Sequence, residues 1–242
     1  MSLYGGVIND SSGRQFARVD GGISYHYWGR ITVQAVGGNS WTTAPLFNIP
    51  ASIKISVFIF CDFGGNENIR SRYGKAEVRQ INGIWHARVL RSMGDAEPSF
   101  QSATFYVFVP ARYVPSAAYG MQCFDEAGVK VYDSSRPLLQ ICGVGAAGTL
   151  TTGQAQFFNR TPAKVASAYS STYSAQYMVV SGVAYWAVIA YFGTTTTGSL
   201  GGYTGMISWL DQGGTKPNNV QFTNIPLIDA GYYDQFPNLV NM

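Results

Sequence analysis

Two histidines, three cysteines and 13 carboxylates are the side chains of this 242-residue sequence best suited to acid–base, nucleophilic or metal chemistry. His26 stands in a Tyr/Trp run, SYHYW, and His86 follows Trp85 in an alternating segment. Neither neighbours a serine or cysteine nucleophile motif, and there is no G-x-S-x-G, HExxH or P-loop pattern. Each histidine therefore reads as a hydrogen-bonded core or surface residue. Cys61, Cys123 and Cys142 sit in apolar strand patterns without CxxC or Cys/His ligand spacing, and read as buried thiols of a protein made in a reducing compartment. Asp10, Asp125 and Asp133 stand at turns or strand ends, where capping of backbone N–H groups explains them. Asp125 with Glu126 would hold a hard cation only if a third oxygen approached from another loop. Glycoside hydrolysis needs two carboxylates that meet in space, and most of this small pool lies beside turn glycines. The expectation is a chain that is not an enzyme, with no catalytic residue, no cofactor and no metal. Contact chemistry remains: Tyr25, Tyr27, Trp28 and Trp41 have the ring faces that stack on sugars, with core packing as the ordinary alternative. Tyr232, Tyr233 and Phe236 crowd one short stretch, which is costly to leave in water and is expected to lie against a partner.

Positioning falls to β-hairpins. In Tyr119 to Asp133, Met121, Cys123, Val129 and Val131 alternate with more polar neighbours around Asp125-Glu126-Ala127-Gly128, which predicts two short strands and a tight turn. Asp suits the first turn position, where its carboxylate accepts backbone N–H groups, and Gly the last, where a positive φ is often needed. The same text opens the chain: Tyr4-Gly5, Asp10-Ser11-Ser12-Gly13 and Phe16 fall on Tyr119-Gly120, Asp125 to Gly128 and Val131 at one constant offset with no gap.

Other strands follow from alternation. Ile31 to Val36, Lys75 to Gln80, Trp85 to Leu90, Ala103 to Val109, Leu138 to Val144, Tyr177 to Val180, Val183 to Tyr191, Tyr203 to Leu210 and Asn219 to Ile225 all read as β. Thr149 to Thr152 and Gln154 to Phe158 alternate weakly. Ile53 to Phe63 is apolar on both faces after Ser56, which predicts a strand in mid-sheet between two covers. Asn82-Gly83 is a strong two-residue hairpin signal. Only 162–174, with Val165, Ala168 and Tyr169 on one face, could form a short helix. The end, Asp229 to Met242, reads as coil.

The fold class expected is all-β: two tandem β-sandwich-like domains, 1–115 and 116–242, the second beginning with the Tyr-Gly hairpin, or alternatively one large β-sandwich. Pro110 and Pro115 bracket the linker. Charged residues are only 12% of the chain, and they are lopsided. Residues 1–136 carry 13 Lys/Arg and 10 Asp/Glu, and residues 137–242 carry 3 and 3. The positive charges are scattered singly and no basic run interleaves with aromatics, so no nucleic-acid partner is expected. No segment is long and apolar enough to predict membrane insertion, and MSLYGGVIND has no signal-peptide pattern.

A Tyr-Gly start, a D-x-x-G turn, a second alternating strand and then Asp-Ser-Ser resembles a widespread group of small tail proteins of tailed phages and prophages. Here the pattern stands as Tyr119-Gly120-Met121-Gln122, Asp125 to Gly128 and Asp133-Ser134-Ser135-Arg136-Pro137-Leu138-Leu139. The N-terminal copy matches only in part, because Ala17-Arg18-Val19-Asp20 replaces the strand end and its Asp-Ser-Ser. The resemblance implies a non-enzymatic virion structural protein of the tail tip, baseplate or tail fibre, made in the host cytoplasm and carried in the virion. Its partners would be other virion tail proteins and a host-surface receptor or glycan, with an adhesin-like carbohydrate-binding module as the alternative. Residues 137–242, so poor in charge, would supply most of the contact in a homo-oligomer, expected as a trimer, with 64–73 left exposed.

Overall fold

The computed structural model describes residues 6–9, 15–19, 24–36, 40–62, 74–91, 102–116, 119–145, 149–150, 155–159, 164–168, 175–180, 183–193, 199–207, 220–221 and 225–239. The strands, in chain order, are β1 (Gly6–Asn9), β2 (Gln15–Val19), β3 (Tyr25–Gln34), β4 (Trp41–Pro50), β5 (Ser56–Asp62), β6 (Gly74–Ile81), β7 (Ile84–Arg91), β8 (Ser102–Pro110), β9 (Gln122–Phe124), β10 (Lys130–Asp133), β11 (Gly143–Gly145), β12 (Thr149–Leu150), β13 (Ala155–Asn159), β14 (Val165–Ala168), β15 (Ala175–Val180), β16 (Val183–Gly193), β17 (Ser199–Ile207), β18 (Val220–Gln221) and β19 (Ile225–Asp229). A 3-10 turn, Ala111–Tyr113, follows β8, and one helical turn, α1 (Ala230–Tyr233), follows β19. The protein is all-β, and every named pairing is antiparallel.

A six-stranded sheet ordered β11-β19-β14-β5-β8-β3 carries the core. Every residue of β8, SATFYVFVP, is buried, which requires cover on both faces of the sheet. Alternation sorts those residues. Ala103, Phe105, Val107 and Val109 point with Val57 and Ile59 of β5 into one core, closed by Leu46 and Ile49 of β4, Ala76 and Val78 of β6 and Ala87 and Val89 of β7. Tyr106 and Phe108 point the other way with Phe58 and Phe60, and are closed by Tyr27, Ala166, Ile228, Ala230 and Tyr233. The first core lies between two sheets, the second sheet being β4-β7-β6. The second core is covered by the C-terminal turn. Strands apolar on both faces are what such a layer demands, and Ile53 to Phe63 announces it, although the strand begins at Ser56.

Asn82 and Gly83 take φ of 50° and 76° and join β6 to β7 with Ile81 opposite Ile84, the two-residue turn their types predict. β4 was hidden by its prolines. It pairs β7 from Trp41 to Pro45, then breaks register before Pro50, with Phe47 and Asn48 both at positive φ (52° and 55°). The stretch 162–174, the one place where a short helix could have formed, is strand where described: Val165–Ala168 is β14, held between β19 and β5, so the strand is set by neighbours on both edges. The expected strand over Leu138 to Val144 shrinks to an isolated bridge between His26 and Leu138 plus β11. The C-terminal end is not coil throughout: β19 runs to Asp229, whose carboxylate caps α1 by accepting the Tyr232 N–H at 3.0 Å.

Both copies of the repeat are hairpins in the same register. In the first, Val7 faces Arg18, Ile8 faces Ala17 and Asn9 faces Gln15, with an extra residue, Phe16, between the last two pairs. In the second, Gln122 faces Asp133, Cys123 faces Tyr132 and Phe124 faces Lys130, with Val131 as the extra residue. Each pair maps onto the other at the 115-residue offset between Tyr4 and Tyr119, bulge included. The turn Asp10 to Gly13 and the loop 64–73 lie outside the described residues.

The boundary expected at 115 does not separate two sheets. β3, β5 and β8 come from before it and β11, β14 and β19 from after it, and all six share one sheet through the pairing of Ser167 with Ile59 and Ala168 with Phe58. A four-stranded sheet, β13-β17-β16-β15, and the pair β12-β18 are built from the later residues alone.

Candidate functional site

Asp125 holds the second hairpin's turn. Its Oδ1 accepts the Ala127 N–H at 3.0 Å and the Val129 N–H at 2.8 Å, its carbonyl accepts the Gly128 N–H, and Gly128 sits at φ +75°. The open end is tied by the Asp-Ser-Ser segment. Ser134 Oγ accepts the Met121 N–H at 2.7 Å, and the Ser134 N–H returns a bond to the Met121 carbonyl. Gly120 lies beneath at φ +132°, where a Cβ would come within 2.8 Å of Ser134 Oγ, so both backbone angle and space require glycine. Tyr-Gly and Asp-Ser-Ser are thus the two sides of one clasp.

Behind the clasp is a buried polar cluster. Asp133 is fully buried; its Oδ2 accepts from Lys130 Nζ at 2.8 Å and Gln122 Nε2 at 3.1 Å, and its Oδ1 from the Ser135 N–H and hydroxyl. Burial pushes the Asp133 carboxyl up, but the hydrogen bonds from Lys130 and Ser135 outweigh it and hold the group below the ordinary carboxylate value. Lys130 Nζ also donates to the Val114 carbonyl at 2.6 Å, fastening the hairpin to the end of the 3-10 turn. His26, wholly buried on β3, contacts the Arg136 carbonyl through Nδ1 at 3.2 Å and Ser24 Oγ through Nε2 at 2.9 Å. The Ser24 hydroxyl also reaches the Val131 carbonyl. Burial holds His26 below its ordinary value, toward the neutral ring.

The C-terminal segment is anchored separately. Asp234 accepts from Lys164 Nζ at 2.6 Å and from the Tyr106 hydroxyl at 2.9 Å, and its Oδ1 lies 3.3 Å from Arg30 Nε. Arg30 donates to the Phe236 carbonyl at 3.0 Å, and the Asn238 amide pairs with both backbone groups of Arg30 as a strand would. Burial, with Asp234 beside it, pushes the Tyr106 hydroxyl far above the ordinary tyrosine value.

Between clasp and C-terminal segment lies a cleft of about 550 Å³. Tyr232 and Phe236 form one wall, their rings edge to face at 5.1 Å. Ser134, Ser135, Arg136 and Gln140 are on the other. Tyr233 bolts the walls together: its hydroxyl donates to the Leu138 carbonyl at 2.5 Å and accepts the Gln140 N–H at 2.8 Å. Arg136 Nη1 reaches the Pro237 carbonyl at 3.4 Å. A guanidinium stays charged at any working pH.

The aromatic residues singled out from the sequence do not form one surface. Tyr27 and Tyr233 are fully buried, 5.3 Å apart between ring centres, in the core against Phe108. They present no ring face to a glycan or partner, which corrects that expectation. Tyr25 and Trp28 are half-buried on β3, and Trp41 on β4 is half-buried beneath the Arg88 guanidinium at 4.3 Å. Tyr232 and Phe236 are half-buried and lie against this chain's own sheet as well as the cleft. Asp10 and Gly13 lie outside the described residues. Cys142 is exposed and Cys123 half-buried, contrary to the buried thiols expected, while the Cys61 side chain is outside the described set. The cleft residues Ser134, Ser135, Arg136 and Gln140 were missed as a site. Their signal, the Asp-Ser-Ser-Arg-Pro run, identifies a strand end and says nothing of the C-terminal wall that completes the cleft.

Among the described residues no group of three or more His, Cys, Asp or Glu could hold a metal ion, and no helix is long and apolar enough to cross a membrane. In comparisons with known proteins, no family model, no curated protein and no solved structure matches the chain.

Proposed function

We propose that this chain is a non-catalytic structural component of a phage tail, at the tail tip, baseplate or fibre, which docks on neighbouring virion proteins through its second hairpin. The observation that carries the reading is where apolar surface is left in water. Tyr119 is 90% exposed, Phe124 56%, Met121 45% and Val129 37%, and all four stand on the segment whose motif resembles tail proteins. Single exposed apolar residues are ordinary, but a concentration on one hairpin marks a contact surface. β9 and β10 form a two-stranded sheet of their own, and a sheet of that size gains stability when another strand or surface is added. The low charge of residues 137–242 supports self-association into a homo-oligomer, a trimer, since ring symmetry satisfies identical surfaces.

The test uses Met121→Ser with Phe124→Ser, two exposed positions whose replacement leaves the buried cluster intact. Multi-angle light scattering should show a trimer for the native protein and for the double variant alike, because self-association is assigned to residues 137–242; a monomeric native protein removes the trimer. In a particle-assembly assay the variant should be left out of the tail. A variant that incorporates like the native protein overturns docking through the hairpin.

A further inference from the structure

We infer that the outer edge of β9 is a strand-addition site, which takes an extended strand of a neighbouring protein with apolar side chains and a lysine or arginine at the end beside the Asp125-Glu126 turn. It rests on docking through the second hairpin, and assigns the edge that docks and the chemistry it meets. Backbone accounting locates the edge. The Asp125 N–H donates to the Val129 carbonyl and the Ser134 N–H to the Met121 carbonyl, so residues 121, 123 and 125 turn their backbone groups toward β10. Gln122 and Phe124 alternate with them, and turn theirs away from β10. Among the described residues nothing hydrogen-bonds those two N–H and two C=O groups. The hairpin's other edge is closed: the Val131 carbonyl of β10 accepts the Ser24 N–H at 3.4 Å and the Ser24 hydroxyl, and Lys130 and Asp133 are buried.

An edge left open is ordinarily guarded by lysine or proline, and residues 119–129 hold neither. Apolar side chains stand along it instead, with Tyr119 90%, Phe124 56% and Met121 45% exposed. Main-chain bonds give an added strand its affinity, and alternate side chains give it specificity. The addition also turns a two-stranded sheet into a three-stranded one, which holds its shape better. Charge sets the end of the partner strand. Asp125 and Glu126 are exposed, no lysine or arginine occurs from Tyr119 to Val129, and Lys130 is buried against Asp133. A strand passing the turn meets two carboxylates, which attract a cationic residue and repel an acidic one.

The test is incorporation of full-length variants in the particle-assembly assay. Gln122→Pro deletes one outward N–H and none that β10 uses, and should lower incorporation about tenfold. Gln122→Ala loses the same side-chain bond to Asp133 but keeps the N–H, and should incorporate like the native protein. Glu126→Lys should lower incorporation about fivefold. Amide exchange reads the edge without a mutation: the Gln122 and Phe124 N–H groups should exchange fast in the free protein and slowly in the particle. Equal incorporation of Gln122→Pro and Gln122→Ala overturns strand addition. Docking through side chains then survives if Met121→Ser with Phe124→Ser is left out of the tail, and falls as well if that variant incorporates. Fast exchange at both residues in the particle also overturns strand addition, and indifference to Glu126→Lys overturns the cationic end. A Gln122→Pro protein that is monomeric by light scattering, where the native one is a trimer, makes the occupant a second copy and overturns the neighbouring protein.

Discussion

Asp133 and Asp125 are the same residue type in the same hairpin, and their roles differ in how far they could be read from sequence. Asp125 acts on groups within four residues of itself, so its role is written locally. Asp133 acts through burial: its partner Lys130 is three residues away, but the ion pair matters because the chain before and after it excludes water, which spacing does not reveal. Removing one member of a buried pair leaves the other charge unsatisfied. Asp133→Ala should therefore lower unfolding free energy by about 3–5 kcal/mol, measured by urea denaturation at pH 7, whereas Glu126→Ala, exposed on the turn of the same hairpin, is the control for loss of charge alone. His26 adds a pH dependence. Its folded value lies below the ordinary 6.5, so the unfolded chain binds the extra proton first as pH falls. The stability it contributes is complete above pH 6.5 and declines below it, by up to about 1.4 kcal/mol per pH unit, until the folded value is passed. Asp133 acts in the same direction lower, beneath the ordinary 3.8. Denaturant midpoints between pH 7.5 and 5 should fall in the native protein and stay flatter in His26→Gln; parallel profiles would remove His26 as the cause.

At the scale of elements, the hairpins and the two-faced strands were legible because their causes are local or periodic: a turn glycine, an Asn-Gly pair, an unbroken apolar run. β4 and β14 were not. β4 carries Pro45 and Pro50 and two non-glycine residues at positive φ, and it is a strand only because β7 supplies partners from Trp41 to Pro45. β14 spells VASA, with helix-compatible spacing around it, and its two neighbouring strands override that preference. The cleft was illegible for the same reason, since its walls meet across some hundred residues of chain. The clasp gives a test at this scale. Gly120→Ala sets a Cβ 2.8 Å from Ser134 Oγ at a backbone angle L residues rarely adopt, so the Met121–Ser134 bonds should break. Loss of about 1–3 kcal/mol of hairpin stability follows, with little effect on the six-stranded sheet. Amide exchange should speed at Met121 and Ser134 and stay slow along β8; equal protection at the hairpin would refute the clasp. Gly128→Ala makes the comparison: its Cβ meets nothing within 4 Å at φ +75°, so only the angle is strained.

At the scale of the whole molecule, the shared sheet changes what each half can do alone. Phe58, Phe60, Tyr106 and Phe108 all belong to residues before 115, yet the core they enter is closed by Ala166, Ile228, Ala230 and Tyr233 from after it. Cutting at residue 115 removes those four and uncovers one whole face of β5 and β8. It also takes away β14, leaving an edge of β5 unpaired, and leaves Arg30 without Asp234. An exposed flat apolar face with an open edge is a template for aggregation. The fragment 1–115 should therefore fail to give a monodisperse folded species: size exclusion should show aggregates, and near-ultraviolet circular dichroism should lose the signal of its packed tyrosines and tryptophans. Adding the separate 116–242 fragment should restore part of that signal, because the missing cover is supplied by chain that needs no covalent link to β8. Two sandwiches that fold independently would predict the opposite, a monomeric 1–115 fragment with sharp dispersed amide resonances, and that spectrum would return the boundary to the linker between Pro110 and Pro115.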